Sequence, residues 1–418
     1  MCNSNILVIG TLDTKGPEVE YIKELIEKRG HKATIIDTGV LAPPTFTPDI
    51  SREEVAEAGG RSLQELLSAH HREQAMKTMG EGAAKILGEL YGAARLDGVI
   101  AVGGGQGTSV ATTAMKALPL GVPKFMVSTV ASGNIRPFIG NKDIAMMFSV
   151  ADIMGGINVV TRTILSNAVG AIVGMVEVGI KMQTSPGKTV IAITAMGTTT
   201  PAAMAAKNAL EEKGYETVLF HASGACGAAM EELVYQGMFG AVLDLSTHEL
   251  IGEVVHDDIY APVSPGRLEA GSRLGIPMVV VPGGLDQLVF GEPDTIRTKY
   301  RGRKVAYHNP HITCVRTSAE ELDIVSGIMA KRLNNAKGPV AVVIPLRGFS
   351  EYDKEGGLLF DPEADQAFIR SLKSRLTADV GVVEVNAHIN EPGFAEKAVA
   401  ILEEMRKKNR ETETCFKG

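Results

Sequence analysis

The chain has 418 residues, 44% of them apolar and 22% charged, with a net charge of −7. That length exceeds one ordinary domain, and the apolar share is enough for sizeable cores. The acidic balance, an aromatic content of 5% and the lack of any tryptophan argue against a nucleic-acid surface, which needs clustered Lys and Arg.

Residues 5–10, NILVIG, are an unbroken apolar run closed by glycine, the pattern of a parallel strand buried on both faces. Val19, Ile22, Leu25 and Ile26 predict a helix over Pro17 to Lys28, capped by Gly30, and KATIID (32–37) is the next strand. The chain therefore opens on a βαβ unit. The Pro-rich, then acidic segment 40–60 reads as a long excursion leading to a helix. Further strands are predicted at 96–105, feeding a helix from about Thr108, and at 121–129. Thr163 to Gly179, with Gly170 and Gly174 among Ala, Val and Ile, predicts a helix apolar on most faces, buried under a sheet or between subunits.

At residue 188 the pattern begins again. Residues 188–224 parallel 5–39, with Gly10-Thr11 against Gly197-Thr198 and Gly30-His31 against Gly214-Tyr215. Strands are expected near 275–284, 339–346 and 380–389, and helices at 318–333, 362–376 and 392–408. The expected fold class is α/β: two subdomains with mainly parallel sheets, related by duplication, at 1–184 and 185–418.

Four scattered cysteines, Cys2, Cys226, Cys314 and Cys415, form no CxxC pair, and nothing at Met1 resembles a signal peptide. A reducing cytoplasm is expected. The longest charge-free apolar stretch, Thr163 to Val176, is 14 residues, short of the roughly 18–20 that a membrane span needs. No membrane segment is expected.

Glycine-rich turns between strand and helix are the main chemical signal. Gly103-Gly104-Gly105-Gln106-Gly107-Thr108-Ser109 follows a strand directly and precedes a helix. Such a loop lets backbone N–H groups approach an anion, with the helix N-terminus adding partial positive charge. In Gly10-Thr11-Leu12-Asp13-Thr14-Lys15-Gly16, Lys15 suits a phosphate, Thr11 and Thr14 are donors, and Asp13 suits Mg2+ through water. Asp37-Thr38-Gly39 ends the second strand, where a carboxylate commonly meets a ribose hydroxyl. Thr129, Ser132 and Gly133 end another. Ser185-Pro186-Gly187-Lys188-Thr189 is not a Walker A loop, because Met182 replaces the required glycine and the segment precedes its strand. No GxGxxG follows the first strand, which counts against a nicotinamide-dependent dehydrogenase.

The second half offers Gly197-Thr198-Thr199-Thr200, a similar loop without lysine, and a cluster of Asp244, Ser246, Thr247, His248 and Glu249 at the end of the strand AVLDL. His308 and His311, in H-x-x-H spacing, and His388 are candidate acid/base groups or metal ligands. Arg347 suits a carboxylate or phosphate. These four are the candidate catalytic residues.

GTLDTKGPE, GGGQGTS, the stretch from Asn134 to Ile172, VPGGLDQLVF, YHNPHITCVRTS and PLRGFSEYD together resemble the UPF0261 family, whose architecture is shared with the N-terminal region of the tomato Tm-1 virus-resistance protein. The resemblance covers nearly the whole chain. It implies a pair of Rossmann-like subdomains, ATP binding by the N-terminal half through the Gly10–Lys15 and Gly103–Ser109 loops, and a homodimer or higher homo-oligomer. The expected function is ATP binding, with Mg2+, by an ATP-dependent enzyme acting on a small anionic metabolite in the inter-domain cleft. The alternative is a nucleotide-responsive binding module without catalysis.

Overall fold

The computed structural model describes residues 3–68, 71–154, 156–179, 182, 185–264 and 266–417, with side chains described through Asn409. Met1 and Cys2, named above, lie outside the described residues, as does the side chain of Cys415. The chain divides into two compact units, Met1–Met182 and Gln183–Gly418.

The N-terminal unit holds five strands: β1 (Asn5–Gly10), β2 (Lys32–Asp37), β3 (Gly98–Gly103), β4 (Lys124–Ser128) and β5 (Ala145–Phe148). All pair in parallel, in the order β2-β1-β3-β4-β5. Helices α1 (Leu12–Lys28), α2 (Arg52–Ala58), α3 (Leu63–Ser68), α4 (Arg72–Gly92), α5 (Gly105–Lys116), α6 (Arg136–Ile139) and α7 (Val159–Val178) connect them. One core lies between the sheet and α2–α5, around Leu7, Ala101, Met79 and Ala114. The other lies under α1 and α7, around Val8, Ile22, Ile100 and Val169. Both faces are thus covered, which is why β1 and β3 read as continuous apolar runs.

Two segments depart from sequence expectation. Helix α1 starts at Leu12, but Lys15 breaks its geometry (φ −134°, ψ 23°), so the regular helix begins next to Pro17 as the spacing predicts. Helix α4, 21 residues long, has no counterpart among the predicted elements. Its glycines weaken it as a local helix signal, yet a Cβ on Gly82 would stand 1.9 Å from the Val55 carbonyl oxygen. Close packing of α4 on α2 therefore requires that glycine.

Helix α7, at 20 residues, is long and apolar enough to cross a membrane by length and composition. This corrects the shorter estimate, because the helix runs past Arg162 and Glu177. Leu165, Ala168, Val169, Ile172, Val173 and Val176 are buried, so this face packs on the sheet of its own unit.

The C-terminal unit holds β6 (Val190–Ala195), β7 (Glu216–His221), β8 (Ala241–Ser246), β9 (Met278–Gly283), β10 (Gln287–Phe290), β11 (Val305–Asn309), β12 (Ile312–Arg316), β13 (Val340–Pro345) and β14 (Gly381–Val385). Its helices are α8 (Thr200–Glu212), α9 (Ala225–Tyr235), α10 (Glu249–Gly252), α11 (Ala270–Leu274), α12 (Ala319–Leu333), α13 (Pro362–Arg375) and α14 (Pro392–Lys417). Six strands form a parallel sheet in the order β14-β13-β9-β8-β6-β7. Strands β10, β12 and β11 form a separate antiparallel sheet. Taken in chain order, the first five parallel strands of both units share the order 2-1-3-4-5. Each sheet is of the doubly wound, Rossmann-like kind.

Candidate functional site

In a sheet of order 2-1-3-4-5, chain connections leave in opposite directions from strands 1 and 3, opening a crevice at their carboxyl ends where ligands bind. In the N-terminal unit that crevice lies between the loops after β1 and β3, the two glycine-bearing loops singled out above.

The loop after β3 leads into a helix start that no side chain caps. Gly103 is demanded by packing: a Cβ there would lie 2.9 Å from the Gly107 carbonyl carbon and 3.0 Å from the Thr108 nitrogen. Gly104, Gly105 and Gly107 face no such crowding, the nearest neighbours of an added Cβ being 3.7–3.9 Å away. None of these glycines has a positive φ. The protein fold itself therefore does not require glycine at 104, 105 or 107, whereas close approach of a ligand would. Helix α5 starts at Gly105, and its N-cap Gly104 has no side chain with which to cap it. By helix geometry the amides of Gly105, Gln106 and Gly107 lack intrahelical acceptors and carry the positive end of the dipole. Thr129, after β4, stands beside Gly104, 3.7 Å from that virtual Cβ. Ser132 and Gly133 are exposed in the same turn.

Several other candidates are buried supports. Thr108 is fully buried and its hydroxyl lies 2.7 Å from Ser128 Oγ, a partner that carried no sequence signal. Asp37 is fully buried, and its Oδ1 accepts from the amides of Leu12 (3.0 Å) and Gly39 (2.8 Å). Burial raises its pKa above the ordinary carboxylate value, only partly offset by those amides. Thr38 is buried and donates to the Gly10 carbonyl. These three are buried and brace the loops from within, with Asp37 Oδ2 left without a protein partner. Ser109 is half-buried in the first turn of α5, where its carbonyl accepts from Thr113 Oγ1 at 2.8 Å.

The loop after β1 presents Thr11, Thr14 and Lys15. The two threonine hydroxyls lie 2.8 Å apart, and the Lys15 ammonium donates to the Ile153 carbonyl. Asp13 Oδ2 accepts from the amides of Leu41 (2.8 Å) and Ala42 (3.3 Å), while Oδ1 is buried without a protein partner. Gly39 is required there, since its Cβ would meet the Asp13 carboxyl at 2.7 Å.

In the C-terminal unit the corresponding crevice lies between the loops after β6 and β8, and its anion positions are filled by the protein. Asn390 accepts from the Ala202 amide at the start of α8 and donates to the Thr198 carbonyl. Glu249 accepts from the Gly224 amide at the start of α9. The Gly197–Thr200 loop, the counterpart of the loop after β1, is therefore already capped, whereas the start of α5 after β3 has no side-chain cap.

Of the four catalytic candidates, Arg347 and His388 line one cavity, while His308 and His311 have separate partners. His308 ends a strand of the small sheet and pairs with the Tyr352 hydroxyl at 2.8 Å. His311, in the β11–β12 turn, is 79% exposed and lies 3.1 Å from Glu292. The H-x-x-H spacing thus straddles a hairpin, where alternation and the turn send the rings to separate partners. His388 has both ring nitrogens engaged, Nε2 with the Ser350 carbonyl and Nδ1 with the Asn390 amide. Among the described residues, no group of three or more His, Cys, Asp or Glu is arranged to hold a metal ion. Arg347 pairs with Glu391 at 3.0 Å and lines, with His388, a cavity of about 640 Å³ at the ends of β13 and β14. A second cavity of about 440 Å³, on the α11–α12 side, is walled by mutually paired charges such as Arg332 with Glu253.

Below this edge lie two buried ionic groups. Arg267 is 1% exposed and meets Asp244 (2.9 Å), Glu231 (3.0 Å) and Glu249 (2.5 Å). Arg316 meets Asp353 (3.1 Å) and Asp365 (2.5 Å), and the nearby Asp286 bonds Ser350. Burial, then the Asp353 charge, raises the Asp286 pKa to about 7. A carboxyl raised from its unfolded value of 3.8 contributes stability that is complete below that value. The contribution is lost progressively as pH rises toward 7, by on the order of 1 kcal/mol per pH unit. Asp286→Asn is expected to flatten this part of the pH–stability curve between pH 4 and 7 in urea titrations. An unchanged slope would show that Asp286 ionises normally.

Residues 4–181 match the N-terminal domain, and residues 188–406 the C-terminal domain, of the uncharacterised protein family UPF0261. The chain belongs to UPF0261. A UPF0261 protein of Clostridium tetani is 43% identical over 94% of this chain and 96% of its own length. The ToMV resistance protein Tm-1(GCR237) of Solanum lycopersicum is 33% identical over 98% of this chain, which spans 56% of that protein. Among solved structures, the glycosyltransferase SnogD from Streptomyces nogalater is 13% identical, with 96% of this chain and 100% of that one covered. The TM-score is 0.20, so the doubly wound reading of this UPF0261 chain rests on its own strand order.

Proposed function

We propose that the protein binds ATP, with Mg2+, in the β1/β3 crevice of its N-terminal unit and uses it to act on a small metabolite held by the C-terminal unit. The observation that carries this is the uncapped start of α5 at a switch point, with spare glycines at 104, 105 and 107. Three outward amides and the helix dipole suit a phosphate. Lys15 lies on the neighbouring loop, able to exchange its carbonyl partner for an anion, and Thr11 and Thr14 supply hydroxyls. The unsatisfied Asp13 Oδ1 is the oxygen that would hold Mg2+; the ion would neutralise phosphate charge.

The test is thermal-shift titration of the full chain with ATP, NAD and NADP, with and without Mg2+. A shift with ATP is expected, larger with Mg2+. A shift with NAD and none with ATP would sink the proposal. Labelled-ATP turnover in the presence of candidate metabolites then separates an enzyme from a nucleotide-responsive binding module. The reading includes a homodimer, supported by exposed Val159, Met175 and Val178 on α7, and light scattering checks it. It includes a cytoplasmic location, in keeping with the free thiols Cys226 and Cys314.

A further inference from the structure

The cavity at the ends of β13 and β14 carries charge of both signs. Its wall includes Arg347, Lys354, Glu351, Glu355, Asp365 and Glu391. At about 640 Å³ it falls within the range of small-molecule sites, roughly 300–1,000 Å³.

The charges are not equally available. Asp365 is buried, bound to Arg316, and its pKa is raised by desolvation. Its carboxyl is already committed to Arg316 and is not available for exchange. The Arg347–Glu391 pair is 58% and 44% exposed. Such a pair is held weakly and opens readily to a carboxylate that offers Arg347 a bidentate partner. Lys354, Glu351 and Glu355 are exposed, and none shows a side-chain partner among the described residues. Setting Asp365 aside leaves three carboxylates and two cations.

That balance selects among ligands. A polyphosphate or dicarboxylate would gain from Arg347 and Lys354 but be repelled by the glutamates. A simple amine would leave both cations unmet. A compact molecule with one carboxylate and one ammonium satisfies both sets. The loop that carries these groups is fixed. Gly348 has φ +118°, and a Cβ there would lie 1.5 Å from the Asp353 carbonyl. The His388 ring is locked between Ser350 and Asn390.

We propose that this cavity binds a small zwitterion of the amino-acid class, its carboxylate on Arg347 and Lys354 and its ammonium on Glu351 and Glu355. This deepens the reading of the C-terminal unit as the small-molecule side. It does not depend on ATP occupying the N-terminal unit.

The experiment is calorimetric titration of the full chain with the standard amino acids, each beside its matched carboxylic acid lacking the amine and its matched amine lacking the carboxylate. At least one amino acid is expected to bind, with both truncated analogues about tenfold weaker or worse. Arg347→Ala and the double variant Glu351→Gln/Glu355→Gln are expected to lose that binding. All three side chains are exposed, so the unfolding temperature without ligand checks that the fold is kept. The ATP thermal shift, read on the same samples, should persist, so failure of either site is seen separately. Equal binding of the deaminated acid, or no amino acid binding to a folded, ATP-responsive protein, overturns the proposal.

Discussion

Gly105→Val and Gly107→Val are expected to abolish the ATP-induced thermal shift while leaving the unfolding temperature of the free protein within about 3 °C. The physical basis is the contrast among neighbouring glycines. At 105 and 107 an added Cβ meets nothing closer than 3.9 Å, and neither residue needs a positive φ. Helical Cβ atoms tilt toward the N-terminus, so the valine methyls project past the helix start, over the amides offered to phosphate. Gly103→Ala should behave in the opposite way. Its Cβ would press on the Gly107 and Thr108 backbone at 2.9–3.0 Å, costing about 1–3 kcal/mol of stability. Isothermal titration with ATP and urea denaturation separate the two effects. Persistence of ATP binding in both valine variants would move the nucleotide away from α5.

The largest stability effect is expected at Arg267. Its removal leaves Asp244, Glu231 and Glu249 as three uncompensated carboxylates at the centre of the C-terminal unit. Loss of one partner from a buried ionic group costs about 3–5 kcal/mol. Arg267→Met should therefore lower the unfolding transition of the C-terminal unit by that amount in urea. Arg267→Lys keeps the charge but not the planar fork that reaches all three acids, so an intermediate loss is expected. Adding Asp244→Asn and Glu249→Gln to Arg267→Met should recover part of the loss, because fewer buried charges then remain unpaired. A loss under about 1 kcal/mol for Arg267→Met would mean that water reaches the group.

Much of the architecture was legible in the sequence because parallel strands buried on both faces leave continuous apolar runs, several of them closed by glycine or a small polar residue. NILVIG and KATIID coincide with β1 and β2 residue for residue, and PEADQAFIRSLKSR is α13. Helix α4 was not legible, since its glycines depress local helix propensity and its stability comes from close packing on α2. The antiparallel sheet β10-β12-β11 was not legible either: its strands are four or five residues long, and although β11 and β12 form a hairpin, β10 pairs with β12 across 20 or more residues.

Of the candidate site, the loops were readable and the roles of individual side chains were not. The sequence by itself determined that glycine-rich turns stand at the carboxyl ends of strands in two successive α/β units, because those turns are local and their composition is constrained. Only the tertiary structure decided which of these helix starts is capped from elsewhere in the chain. The turn after β6 is capped by Asn390, 188 residues away from Ala202, whereas α5 has no such cap. It likewise decided that Asp37 and Thr108 are buried supports and that the three histidines have separate partners. These outcomes depend on hydrogen bonds between loops distant in the chain, and such partners leave no periodicity or spacing for a sequence to display.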